Sequence, residues 1–112
     1  MTKSPYDTVM SAYRKARGNN KLVQLLEEYK KITSFHNYEE IIDGLAAQYN
    51  LSFGITQIDY IKKTKTTTKY IPYIIHDGNR KELQNESGAF STMDKAKAYC
   101  AKCVLYTLEQ IV

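Results

Sequence analysis

The hydrophobic period of this chain changes at Asn50. Before it, apolar residues recur at helical spacing. After it they alternate, as in a half-buried strand. A chain with both periods in separate blocks must stack helices on a sheet, because neither pattern buries its apolar face alone.

The helical block reads as three segments. Ser4 is a good N-cap, Pro5 suits the first helical position, and Asp7 favours the positive end of the helix. Tyr6, Val9, Met10 and Tyr13 form its stripe, and Gly18 after Arg14, Lys15 and Arg17 is a stop. A second helix starts after Asn20, with Leu22, Leu25, Leu26, Tyr29 and Ile32 on one side. The short link through Gly18, Asn19 and Asn20 predicts a helical hairpin. Thr33 to Asn37 is a connection. Asn37 then caps a third helix carrying Tyr38, Ile41, Ile42, Leu45 and Tyr49, and Asn50 suits the left-handed end.

In the strand block, Leu51, Phe53 and Ile55 share one parity, while Ile58 and Tyr60 take the other. Either the strand is apolar on both sides or a bulge near Gln57 switches faces. Lys62 to Lys69 reads as a polar hairpin loop. Tyr70 to His76 is the second strand. Its Pro72 cannot donate to a ladder, so the strand lies at an edge or Pro72 points its nitrogen outward. Asp77-Gly78 is a turn signal, and Arg80 to Gln84 should pair back through it. Asn85 to Ala89 is a loop. Ser91 caps a last helix, with Asp94 at the capping-box position and a wide apolar face from Met93 to Ile111.

The expected fold is α+β: an N-terminal helical hairpin, then α-β-β-β-α, with a three-stranded antiparallel sheet covered by helices on one face. Its 112 residues suit a single domain over 1–112, with 1–35 as a hairpin extension and 36–112 as the αβββα core. At 43% hydrophobic and 25% charged residues, the chain has enough apolar surface to fold. No apolar run approaches the roughly 20 residues of a membrane span. Residues 1–7 lack the apolar stretch of a secretory signal. A cytoplasmic protein with no membrane partner is expected.

The net charge of +4 is unevenly spread. Residues 1–33 carry seven bases and three acids, for +4; residues 34–61 carry Glu39, Glu40, Asp43 and Asp59 and no base, for −4. Residues 62–81 carry six bases and Asp77, for +5; residues 82–112 carry three bases and four acids, for −1. Lys62, Lys63, Lys65, Lys69 and, on the last helix, Lys97 are the candidate nucleic-acid contacts. Lysines beside an exposed strand also deter pairing with other chains and serve solubility. A surface formed from both basic blocks requires that they share a face.

Catalytic motifs are missing. There is no Gly-rich phosphate loop, no serine nucleophile motif and no metal-ligand box. Cys100 and Cys103 form Cys-x-x-Cys, but about two turns into a helix, where the dipole does little for a thiol. Zinc would need two more ligands, and the only histidines, His36 and His76, lack partner spacing. Cysteine is also a small buried hydrophobe. No enzyme activity, metal or cofactor is expected. Of ten tyrosines, five sit on helix stripes, while Tyr60, Tyr70 and Tyr73 lie on strands. Any of those three that face outward would suit a protein partner.

Two resemblances follow from particular residues. Residues 37–112 resemble the double-stranded-RNA-binding domain in element order. Thr92, Ala96, Lys97, Cys100, Ala101 and Leu105 are similar to that family's last-helix pattern. Met93 and Asp94 stand where the family has phosphate-binding lysines, and its Gly-Pro-x-His loop is missing, although Lys62 to Lys69 occupies the corresponding place. The resemblance implies duplex binding through Lys97 and the loop lysines.

The run His36 to Leu45, then Tyr49-Asn50-Leu51, then Phe90-Ser91-Thr92 before an Ala-rich helix, looks like small proteins of phages and mobile elements in Bacteroides-type bacteria. Those commonly read Tyr-x-Glu-Ile-Ile-Asp-Trp-Leu and Phe-x-Thr-x-x-x-Ala. Gly44 stands where they have Trp. The resemblance covers roughly residues 36–112 and implies a phage or prophage context. The expected function is a non-enzymatic accessory protein that binds a protein partner. The alternative is binding of double-stranded RNA or DNA through the basic 62–69 hairpin.

Overall fold

The computed structural model describes residues 4–83 and 89–112. The elements are α1 (Pro5–Arg17), α2 (Lys21–Ile32), α3 (Tyr38–Ala47), β1 (Leu51–Lys62), β2 (Lys65–His76), β3 (Asn79–Glu82) and α4 (Met93–Ile111). The fold is α+β, with an antiparallel sheet in the order β1-β2-β3.

The caps follow side-chain chemistry. Ser4, Asn20 and Asn37 each accept a hydrogen bond from the backbone N–H three residues on, at 2.9–3.1 Å. Gly18 takes φ +68° at the end of α1 and donates to the Arg14 carbonyl. Asn50 takes φ +57° between α3 and β1. The cap of α4 is Thr92, not Ser91: the Thr92 hydroxyl accepts from Lys95 N–H at 3.3 Å. Phe90 exchanges two backbone hydrogen bonds with Tyr70, and the chain bends through Ser91 and Thr92 before the helix starts at Met93.

One apolar cluster joins all four helices to the sheet. Tyr6, Met10, Tyr13, Leu22, Val23 and Leu26 from the first two helices meet Ile41, Ile42 and Leu45 of α3. Cys100, Val104, Leu105 and Leu108 of α4 lie in the same cluster, with Leu51 and Ile74 of the sheet. The N-terminal hairpin therefore contributes to the core over the sheet instead of lying apart from it. Polar contacts pin it as well. Arg14 pairs with Glu27 and donates to the Tyr38 hydroxyl at 2.9 Å, and Arg17 lies 3.7 Å from Glu109.

The β1–β2 register runs unbroken from Leu51↔His76 to Lys62↔Lys65. There is no bulge at Gln57. The parity change arises because both faces are apolar in part: Leu51, Phe53 and Ile55 face the helices, whereas Ile58 and Tyr60 face away. The expected Lys62–Lys69 loop is a two-residue turn, Lys63-Thr64, with Lys63 at φ +58°. β-Branched threonines continue the strand to the tip, where the Thr68 hydroxyl donates to Asp59 at 2.8 Å. Asp77 and Gly78 both have positive φ, as the tight turn of this hairpin requires.

β3 spans Asn79–Glu82, not Arg80–Gln84; Gln84 and most of the expected 85–89 loop lie outside the described residues. β2 is the central strand despite Pro72. The Pro72 carbonyl accepts from Leu83 just beyond β3, so its missing N–H falls where that ladder ends.

Candidate binding surfaces of the sheet

In an antiparallel pair, successive residues turn their N–H and C=O to opposite sides. Tyr70 bonds to Phe90 through both groups, so the even-numbered residues of β2 face β3 and the odd-numbered ones face β1. Their partners in β1 are Ser52, Gly54, Thr56, Ile58 and Tyr60. Phe53, Ile55, Gln57, Asp59 and Ile61 consequently turn their backbone groups to the open edge. Among the described residues, none of these five has a backbone partner there. The edge runs past the helices onto the hairpin tip, where Tyr60 is 51% and Ile61 77% exposed.

A cleft of about 530 Å³ borders this edge. Phe53, Gly54 and Ile55 line one wall; Tyr6, Glu39, Glu40 and Asp43 line the other, with Met93 and Lys97 at α4. Burial pushes the Tyr6 hydroxyl pKa upward, with smaller contributions from Cys100, Glu39 and Asp43.

The outer face of the sheet is the second surface. The register places Tyr60, Lys62, Lys65, Thr67, Lys69, Ile71, Tyr73 and Arg80 on the side away from α4. The Arg80 guanidinium stacks 4.1 Å from the Tyr73 ring centre and donates to the Thr56 hydroxyl at 2.9 Å. Tyr73 in turn lies over Gly54, where an added Cβ would come 2.5 Å from its hydroxyl. Among the described residues, no carboxylate pairs with Lys62, Lys63, Lys65, Lys69 or Arg80.

These placements divide the sequence-derived candidates. Lys62, Lys65 and Lys69 share the outer face and Lys63 sits in the turn. Lys97 lines the cleft among Glu39, Glu40 and Asp43, on the helix side. The two basic blocks also separate: Arg14 and Arg17 belong to the helical layer, across the sheet from the lysines. A nucleic acid on the outer face would meet only the 62–81 block. The sequence marks Tyr73 as a strand tyrosine suited to a protein partner, but marks neither Arg80 nor its place over the Tyr73 ring. The Asp77-Gly78 hairpin was the signal for them, since a two-residue turn sets Arg80 opposite Ile75 and diagonal to Tyr73.

Cys100 is fully buried, and burial, with the neighbouring Cys103, pushes its thiol pKa up to about 12. Cys103 is half-buried and its pKa is also raised, mainly by burial, against lowering by Tyr99 and by Lys102 and Lys81. Neither thiol is tuned as a nucleophile. Among the described residues, no three His, Cys, Asp or Glu side chains gather as metal ligands, and no helix is long and apolar enough to cross a membrane.

No protein family, curated protein or solved structure matches the chain.

Proposed function

We propose that this protein is a small non-enzymatic accessory protein that binds a protein partner by accepting an extended segment along the open edge of β1. The observation that carries this reading is the row of five outward-facing backbone pairs from Phe53 to Ile61. Unpaired strand edges are templates for another strand, and natural proteins shield those they do not use. From Leu51 to Ile58 this edge has no charged residue and no proline to shield it. The adjoining cleft leaves room for side chains of an added strand, and Tyr60 and Ile61 supply apolar contact at the tip. A cytoplasmic setting in a phage or mobile element belongs to the same reading, supported by the resemblance of residues 36–112.

The test is a pull-down from a native host with two baits, the unaltered protein and Gln57→Pro. Gln57 is exposed and its N–H points to the open edge, so proline there removes an edge donor and leaves the β1–β2 ladder intact. A partner retained by the first bait and lost by the second, with protection of the 53–61 amides from exchange in the complex, is expected. A partner bound equally by both baits, leaving those amides unprotected, would rule the edge out.

A second reading, nucleic-acid binding, is favoured by the unpaired lysines of the outer face.

A further inference from the structure

The outer face of the sheet shares only Tyr60 with the β1 edge, and its occupant is a different class of molecule. We infer that it binds single-stranded nucleic acid, with a base stacked on the Arg80 guanidinium and phosphates held by Lys62, Lys65 and Lys69. Three observations carry this.

The first is a fixed stacking plate. Arg80 sits over the Tyr73 ring, held by its hydrogen bond to Thr56 and by the ring beneath it. Arg80 is exposed, so a base can approach its guanidinium from solvent. A planar cation held this way stacks on a base with little further loss of freedom. Gly54 makes the plate possible, because a side chain there would displace the Tyr73 ring.

The second is charge. Lys62, Lys65, Lys69 and Arg80 share this face with Glu82 as the only acid among its strand residues. None of the four is ion-paired among the described residues. Polyanion binding releases counterions from such a row without breaking an internal salt bridge.

The third is spacing. Tyr60, more than half exposed, lies near the hairpin tip, and the Tyr73–Arg80 plate lies toward the body. Tyr60 pairs with Thr67, six residues along β2 from Tyr73, or roughly 20 Å at strand rise. Lys69 lies between these two platforms, and Lys62 and Lys65 lie beyond Tyr60 at the tip. Aromatic platforms interspersed with basic side chains suit unpaired bases, whose π-faces are free; the bases of a duplex are stacked on each other.

Fluorescence anisotropy of a labelled oligothymidine, titrated with the full chain at several salt concentrations, tests the inference. A duplex of equal length and mixed sequence is the comparison. The single strand is expected to bind more tightly than the duplex, with affinity falling as salt rises. Arg80→Lys keeps the charge and removes the plate, and should weaken the single strand about tenfold, the scale of one lost base stack, with the salt slope unchanged. Lys65→Gln with Lys69→Gln should flatten the salt slope. Both sites are on the surface of the sheet, and circular dichroism checks that the variants fold. No binding of the single strand at 50 mM salt overturns the inference. So does duplex binding that is equal or tighter and indifferent to Arg80→Lys, because that is charge attraction without stacking. Gln57→Pro should leave oligonucleotide affinity unchanged, which separates this surface from the β1 edge.

Discussion

The Tyr29 ring of α2 lies directly against Gly44 of α3, where an added Cβ would come 2.3 Å from the tyrosine hydroxyl. Here an aromatic ring from the neighbouring helix takes the space a side chain at residue 44 would fill, and Phe35 lies beside it at 6.0 Å between ring centres.

This contact makes the two residues interdependent. Gly44→Ala gains up to about 1 kcal/mol of helix propensity but forces the half-exposed Tyr29 ring aside, so its net effect should stay within about 1 kcal/mol of zero. In a Tyr29→Ala background the same change should stabilise by most of that 1 kcal/mol. Urea unfolding of the four proteins in the cycle measures the coupling. Equal effects in both backgrounds would show that Tyr29 does not occupy this space.

The start of α4 distinguishes two adjacent hydroxyls. Thr92→Ala should cost about 1 kcal/mol, the usual loss for an N-cap, whereas Ser91→Ala should change stability by less than about 0.5 kcal/mol. The reverse order in chemical denaturation would move the cap to Ser91.

Leu26 tests whether the N-terminal hairpin is part of the core. It has no exposed surface and belongs to the cluster that includes Leu105 and Ile74. Leu26→Ala should destabilise the whole chain by about 2–5 kcal/mol in one cooperative transition. Loss of α1 and α2 at a lower temperature than the sheet would identify them as a separate unit.

Cys100 gives the protein an alkaline limit. Its folded-state pKa, about 12, lies above the ordinary thiol value of 9.0, so the folded chain holds this proton more tightly than the unfolded chain does. Stability from this thiol is full below pH 9 and is lost as pH rises toward 12. Tyr6, also raised, acts in the same direction. Cys100→Ala should be less stable at neutral pH because of the vacated volume, yet its stability should fall less steeply between pH 9 and pH 11, as followed by urea titration. In thiol labelling at pH 8, Cys103 should react before Cys100, which should wait for unfolding. An unchanged pH slope in the alanine variant would count against the buried, protonated thiol.

The elements themselves were largely readable along the chain, because caps and turns act over three or four residues. Ser4, Asn20, Asn37, Gly18, Asn50 and Asp77-Gly78 all do what their local chemistry favours. The errors had a common cause. Ser91 and Thr92 are equally good caps by type, and a long-range bridge between Phe90 and Tyr70 decides between them. The Lys-Thr run is polar enough for a loop, yet the cross-strand pairing of β1 with β2 carries it into a strand. Pro72 leaves two readings, an edge strand or a nitrogen pointing away from the ladder, and only the β2–β3 pairing separates them: its missing donor falls where β3 stops.

The candidate sites divide along the same line. Local periodicity was enough to establish that lysines cluster beside a hairpin and that two periods share one chain, since both depend only on neighbours in sequence. Which strand keeps an open edge, which lysines share a face, and that Lys97 joins an acidic cleft instead of them all depend on register and on the side of the sheet the helices cover. Those are set by packing between residues distant in sequence, because one helical layer covers one face of the sheet and, among the described residues, leaves the β1 edge and the hairpin end of the other face exposed.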